Sequence, residues 1–490
     1  RCSNTCLFIM LGSNILAGAS GQGGDSGYQI EKSLRFNAAD SAYLEKNLPT
    51  SNKKKFTFSF WMKKHANVPN GTNQTVIMAY LDSSIAESNY AAINFNSSNK
   101  LVFSTAATEY RRTGKVFRDT SAWYHIVIVY DSANATAEDR FIVYVNGVRI
   151  TEWDVNTTIA QNNETGLNGS GTTGYHRIGQ EVNQFKSDFS IAEWYWIDNQ
   201  VKTATDFGEF DDNNIWQPKA YTGTYGTNGH YLKFADNSSV SALGTDSSGN
   251  GNNWTPNNFS VTAGASNDSL TDTPTNYGED TGVGGEVRGN YNTLNPLHHL
   301  TSATIVDGNL RTSSDGNAFS SMLLTSGKWY AEHTVSSAGY NLCLSQPDHP
   351  SGATPSSATS KTIGWYYGGS VYYGGGYDVG GAAAYTTGDV IAAAIDIDNT
   401  TITWYKNGSQ VGSVINYSTG SYPKFAEGML VSEFAGYGIW NFGQRAWAHT
   451  PPPGYKAICT QNLPDPVAVG SKNFETILWT GQGNTNDRTL

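Results

Sequence analysis

The chain has 490 residues, of which 15% are charged and 12% aromatic, with 52 glycines and a net charge of −11. A chain so low in charge and so rich in Gly, Asn, Ser and Thr favours many short strands joined by turns over helices, whose surfaces need Glu, Lys and Ala. Scattered Lys and Arg argue against a nucleic-acid groove, and no run approaches the ~20 apolar residues of a membrane-spanning helix, so neither nucleic acid nor membrane insertion is expected.

Residues 1–27 read as an arm that anchors the protein to something larger. Arg1, the apolar run Leu7 to Leu11 and Ala17-Gly18-Ala19 imitate a secretory signal, but the run is short and Gly12-Ser13-Asn14 interrupts it. The favoured reading starts the protein at Met10, with residues 1–9 as extra upstream sequence.

Residues 28–218 are expected to form a first sandwich. Its strands are short alternating or apolar runs: Leu34-Arg35-Phe36, Ala42-Tyr43-Leu44, Phe56 to Met62, Val76 to Tyr80, Ala91 to Phe95, Leu101 to Phe103, Arg177 to Gly179 and Ile191 to Ile197. Lys53-Lys54-Lys55 reads as a solvated strand edge. A long hairpin runs from Trp123 to Tyr130 and from Phe141 to Val148, turning at Asn146-Gly147, where Asn-Gly supplies the positive φ of a type I′ turn. A short helical turn near Thr203 to Phe210 closes the unit.

Residues 219–300 change to Gly, Asn, Thr, Asp and Pro, the composition of a loop-rich connector, with one strand near His230 to Phe234 that returns to the first sandwich. Residues 301–458 read as a second sandwich, with strands at Lys328 to Val335 and Ile363 to Tyr367. A second long hairpin, with Ile391, Ala393, Ile395 and Ile397 alternating, passes through Asp398-Asn399 to Ile402 and ends at Asn407-Gly408. Pro451-Pro452-Pro453-Gly454 stops it, since proline cannot donate ladder hydrogen bonds. In residues 459–490, Phe474 to Thr480 reads as a lone strand, the start of a further domain or a strand that pairs elsewhere.

The second unit resembles a SPRY domain through Gly327-Lys328-Trp329-Tyr330, Gly388-Asp389-Val390-Ile391, Asp396-Ile397-Asp398, Trp404-Tyr405-Lys406-Asn407-Gly408, Tyr422-Pro423 and Asn441-Phe442-Gly443-Gln444. The first resembles a concanavalin A-like, laminin G-type domain through Leu34-Arg35-Phe36, Phe58-Ser59-Phe60-Trp61, Trp123-Tyr124-His125 and Tyr144-Val145-Asn146-Gly147. Nearly the whole chain is similar to tail-fibre-like proteins of marine bacteriophages, through Ser33 to Leu44, Lys219 to Gly223 and Gly249 to Asn258. The resemblance implies an all-β protein of two antiparallel β-sandwiches with jelly-roll topology. It also implies a location on a virion, contact with other virion proteins, and attachment to a glycan or protein of the host surface. Fibre proteins repeat weak sites for avidity, so a homotrimer is the expected assembly.

Candidate chemistry is sparse. Glycosidic hydrolysis needs two carboxylates roughly 5 to 10 Å apart. Glu193 and Asp198 are five positions apart and point to opposite faces of a regular strand, so no enzyme is expected. Asp246 to Asn253 has one carboxylate and reads as a plain turn, with calcium as the cofactor that such a loop would take if it took one. Asp389, Asp396 and Asp398 read as turn residues. His298, His299 and His333 lack partners at ligand spacing, and Cys2, Cys6, Cys343 and Cys459 read as free thiols. The binding candidates are Tyr366, Tyr367, Tyr372, Tyr373 and Tyr377, in a Gly-rich segment where flat phenol faces meet sugar C–H groups at low entropy cost. The expected function is non-catalytic recognition. A structural decoration protein of a capsid or fibre and a polysaccharide-degrading enzyme are the alternatives.

Overall fold

The computed structural model describes residues 27–464, apart from 50, 67, 69–71, 81–89, 106–107, 170–173, 182–183, 281–285, 300–303, 351–352, 379–380, 420–421, 423–424 and 426. Residues 1–26 with Cys2, Cys6 and Met10, together with Pro423 and the strand expected at Phe474 to Thr480, lie outside the described residues.

The first unit is two eight-stranded antiparallel sheets packed face to face. One sheet runs Val148–Arg149, Phe141–Val145, Trp123–Asp131, Lys55–Lys64, Phe189–Asp198, Ser33–Phe36 and Ser269–Leu270, with His230–Leu232 also on Phe189–Asp198. The other runs from Trp153–Asn156 through Thr108–Thr113, Leu101–Thr105, Tyr90–Asn96, Asn73–Tyr80, Tyr175–Ile178 and Tyr43–Lys46 to Thr255–Asn257. Period-two spacing sends Phe56, Phe58, Phe60 and Met62 into the core between the sheets. Trp61 joins a second apolar layer on the outer face, with Trp123, Tyr195, Phe207, Trp216 and Tyr231. Both faces of Lys55–Lys64 are therefore buried. This corrects the expected strand edge at Lys53-Lys54-Lys55. That strand lies between Trp123–Asp131 and Phe189–Asp198 in mid-sheet, and the lysines occupy the turn that leads into it, where the carbonyls of Lys53 and Lys54 accept bonds from Thr165 and Ser132.

The expected 3₁₀ turn forms at Ala204–Asp206 behind a Thr203 capping box. The Gly- and Asn-rich segment is laid into both units. His230–Leu232, Thr255–Asn257 and Ser269–Leu270 are strands of the first, and Leu294–His299 pairs with Gly316–Ser320 in the second.

The second unit is one continuous network of 13 strands folded over on itself. Leu430–Asn441 makes the fold. Its first half pairs with Tyr340–Ser345 and Gly316–Ser320, and its second half with Lys328–Ser337. The change of layer falls at Ala435, whose φ is +49°. A Cβ on Gly339 would lie 2.0 Å from the Ala435 carbonyl, so the bulge fits only against glycine. Between the layers lie Trp329, Trp365, Ile391, Ile395, Trp404 and Trp440. Both predicted hairpins are present, and the turns that end them, leading to Val148–Arg149 and Ser409–Asn416, have positive φ at both central residues: 48° and 81° at Asn146-Gly147, 48° and 79° at Asn407-Gly408. Cys343 and Cys459 are free and buried.

The two units meet along a polar seam. Arg35 of the first donates to Asp268 Oδ1 at 3.0 and 2.8 Å and to the Asp307 carbonyl at 2.9 Å. Asn37 Nδ2 donates to Asp307 Oδ1 at 2.6 Å, and Thr271 N–H to the Gln444 carbonyl at 3.1 Å.

Candidate binding site

The strand Thr362–Trp365 ends in a turn that returns as Val371–Tyr373, and this turn carries the tyrosines. Trp365 points into the core, so period two sends Tyr366 to the outer face. Ser370 O accepts from Tyr366 N–H at 2.9 Å and Gly369 N–H donates to Tyr366 O at 2.8 Å, which closes the turn. Gly369 has φ +99° and no room for a Cβ beside the Ala382 carbonyl. Tyr367 leaves the ladder: its N–H bonds Gly339 O at 3.0 Å and its carbonyl accepts from Tyr385 N–H at 2.9 Å. The hydroxyl of buried Tyr385 sits 2.7 Å from the Gly339 carbonyl and 2.9 Å from that of Trp365, so the tyrosine-bearing backbone is bracketed from below.

Four rings come together on this face. Tyr366 is at the centre, 4.3 Å from Tyr367, 4.8 Å from Tyr340 and 5.7 Å from Tyr372. Tyr340 is buried beneath, Tyr366 and Tyr372 are half-buried, and Tyr367 is 42% exposed. The hydrogen bond that the Tyr366 hydroxyl gives to the Tyr367 phenol, with some burial, pushes the Tyr366 hydroxyl up to about 12. Such a platform presents flat apolar faces edged with hydroxyls and no charge.

Three of the five sequence candidates thus share one face: Tyr366, Tyr367 and Tyr372. Tyr373 does not join them. The next position in a strand faces the other way, and Tyr373 packs against the inner core and on Tyr422 at 4.2 Å. Tyr377 lies in the strand Gly376–Asp378, and its side chain is outside the described residues. Sequence reading missed Tyr340, which comes from Tyr340–Ser345, a strand about 25 residues away in the chain and a neighbour only through pairing with Thr362–Trp365.

The carboxylates of the first sandwich are arranged differently. Glu193 has φ +55° in a bulge between Ala192 and Tyr195, which turns its side chain to the outer face. There Glu193 Oε2 accepts from Tyr28 at 2.7 Å, Tyr195 at 2.5 Å and Tyr231 at 2.6 Å. Burial pushes the Glu193 carboxyl upward while the three phenols pull it down. Asp198 accepts instead from Ser51 at 2.9 Å, Asn168 at 2.6 Å and the Asn228 N–H at 3.0 Å. The two carboxylates are held on opposite faces, although by a strand that is bulged where the sequence reading took it as regular.

The Asp246 loop is a turn tied to the segment Gly226 to Tyr231. Its carboxylate accepts from the N–H groups of Tyr231, Ser248 and Asn252 at 2.8 to 2.9 Å, and Asn250 and Asn252 donate to the Gly229 carbonyl. Asp389 bonds Asn407 and Lys406, Asp396 bonds Asn399 and Lys328, and Asp398 accepts from Gly327 N–H, all as turn residues. His333 Nε2 lies 3.0 Å from Glu433 in the second core.

Comparison with known proteins bears on this architecture. No curated protein matches the chain. Among solved structures, a putative carbohydrate binding protein from Bacteroides ovatus is 16% identical with a TM-score of 0.30, covering 47% of this chain and 59% of its own. A SAP-like pentraxin from Limulus polyphemus is 14% identical with a TM-score of 0.26, covering 36% of this chain and 81% of its own. The SPRY domain of human HERC1 is 16% identical with a TM-score of 0.24, covering 30% of this chain and 94% of its own. These likenesses concern the fold alone. Residues 36–171, most of the first sandwich, match the family Laminin_G_3, described as the concanavalin A-like lectin/glucanases superfamily, and over that stretch the chain is similar to its members.

Proposed function

We propose that the protein is a non-catalytic recognition protein that grips a host-surface glycan, as an exposed, tail-fibre-type component of a bacteriophage particle. The observation that carries the reading is the neutral platform of Tyr340, Tyr366, Tyr367 and Tyr372, with Tyr367 open to solvent. Sugar rings offer C–H faces to such rings and hydroxyls to their phenols, and an uncharged surface favours a neutral saccharide over an acidic one. The superfamily similarity of residues 36–171 adds support for a lectin-like scaffold. The same superfamily includes glucanases, but Glu193 is caged by three phenols and Asp198 is bound on the opposite face, which supports binding without cleavage. The virion setting rests on the sequence resemblance described above.

The test incubates the purified full chain with an array of host-envelope polysaccharides. Retention on a neutral glycan without new reducing ends is expected. Release of shortened chains would establish the degrading enzyme instead, and no retention on glycans or host cells, with particles assembling normally, would favour the decoration protein.

A further inference from the structure

Lys63 is a fully buried lysine, next to last in the strand Lys55–Lys64 and on the outer face of its sheet. Its Nζ donates to Asn290 Oδ1 at 2.7 Å, to Asp272 Oδ2 at 2.9 Å and to the Tyr291 carbonyl at 3.2 Å, which uses all three ammonium hydrogens. Asn290 is equally buried, its Nδ2 held by the Ser121 carbonyl at 2.7 Å and its N–H by Thr460 Oγ1 at 2.9 Å. Asp272 Oδ1 accepts from Trp123 Nε1 and from Tyr291 N–H, both at 3.2 Å. Amine, carboxamide and carboxylate are thus fixed at contact in a water-poor site walled by Trp123 and Tyr291.

We propose that Lys63 and Asn290 join in an autocatalytic isopeptide bond, with Asp272 as the proton carrier. Fixed contact replaces an encounter, the condition under which a weak amide electrophile becomes reactive. Asp272 Oδ2, which accepts from Lys63 Nζ at 2.9 Å, takes one proton from the ammonium as the first step. The free amine attacks Asn290 Cγ and forms the C–N bond. Protons carried by Asp272 pass from the attacking nitrogen to the departing one, the Cγ–Nδ2 bond breaks, and ammonia leaves. In sum, one ammonium and one carboxamide become one secondary amide and one ammonium ion, with no oxidant, metal or cofactor.

The neighbouring lysine is a built-in comparison. Lys64 Nζ lies 2.8 Å from Asn99 Oδ1 and 3.2 Å from the Phe117 carbonyl, and burial lowers it to about 7. Amine and carboxamide are present there, but among the described residues no carboxylate accepts from Lys64, so no bond is expected.

The link would tie the central strand of the first sandwich to a segment 227 residues away, one position before Tyr291, which bridges to Cys459 of the second unit. It would act as a covalent strap across the seam. The experiment is intact-mass spectrometry of the purified full chain under denaturing, reducing conditions, followed by protease mapping. The expected result is a mass lower than the sequence requires by one ammonia, about 17 Da, and a branched peptide that joins the Lys63 and Asn290 segments. Asp272→Asn and Lys63→Met should restore the full mass, and Lys64→Met should leave the deficit in place. A wild-type chain of full mass with an unmodified Lys63 amine would overturn the proposal whatever the variants do. A loss of water would place the bond on Asp272 and overturn the assignment to Asn290.

Discussion

Glu193 concentrates the residue-scale physics of the first sandwich: a buried carboxylate at positive φ, satisfied by three phenols. Its folded-state carboxyl is raised by burial, so between its ordinary value and the raised one the folded chain holds the extra proton, and stability falls as pH rises through that window. Glu193→Gln should remove this fall, seen as a flatter thermal midpoint between mildly acidic and neutral pH. An unchanged pH profile would count against the burial effect. His125 works the opposite way. Trp216 Nε1–H can only donate to Nδ1, at 2.9 Å, so the neutral ring carries its proton on Nε2 and donates to Ser59 Oγ at 2.8 Å. Burial lowers His125 and His176 to about 3 and His230 to about 4, below their ordinary 6.5. The unfolded chain therefore binds more protons between those values and 6.5, and stability should drop as pH falls through 6.5 toward 3. His125→Gln should blunt that drop in acid unfolding monitored by tryptophan fluorescence. The sequence singled out Tyr366, Tyr367 and Tyr372 as binding candidates by type and glycine context, and the structure brings their rings together. Sequence alone could not tell Tyr373 from them, because which face a strand position takes depends on register with a partner strand.

At the scale of elements, the hairpins were readable because alternation and Asn-Gly are local codes, and both turns have the positive φ those residues favour. The bulges at Glu193 and Ala435 were not readable. Each is one extra residue opposite a neighbouring strand, and neither residue type announces it. Two glycine substitutions separate crowding from mere conformational preference. Gly339→Ala drives a Cβ to 2.0 Å from a backbone carbonyl and should cost roughly 3 kcal/mol or more in urea unfolding, opening the fold between the layers of the second unit. Gly249→Ala has φ +87° but nothing within 4 Å, and should cost only about 1 kcal/mol. Similar losses at both positions would mean that the close approach at Ala435 is not what holds the bulge.

For the whole molecule, composition suggested two sandwiches and a loop-rich connector with one strand near His230 returning to the first; that strand is present, but the connector also supplies further strands to both units, and the seam is polar and buried. Loop-type composition conceals this because short strands of Ser, Thr and Asn carry little apolar pattern; Thr255–Asn257 and Ser269–Leu270 are readable only from their partners. Arg35, buried between Asp268 and Asp307, should couple the units, so that heating gives one transition. Arg35→Met removes the guanidinium that bonds Asp268 and the Asp307 carbonyl and should split calorimetric unfolding into two steps; one unaltered transition would show that Arg35 is not the coupling element. The proposed recognition by the tyrosine face is tested by calorimetric titration of the full chain with a neutral oligosaccharide selected in the array experiment. Tyr367→Ala should weaken binding about tenfold, ~1.4 kcal/mol, and Tyr373→Phe, on the buried side of the sheet, should leave it unchanged. Wild-type affinity in Tyr367→Ala would contradict glycan binding at this face.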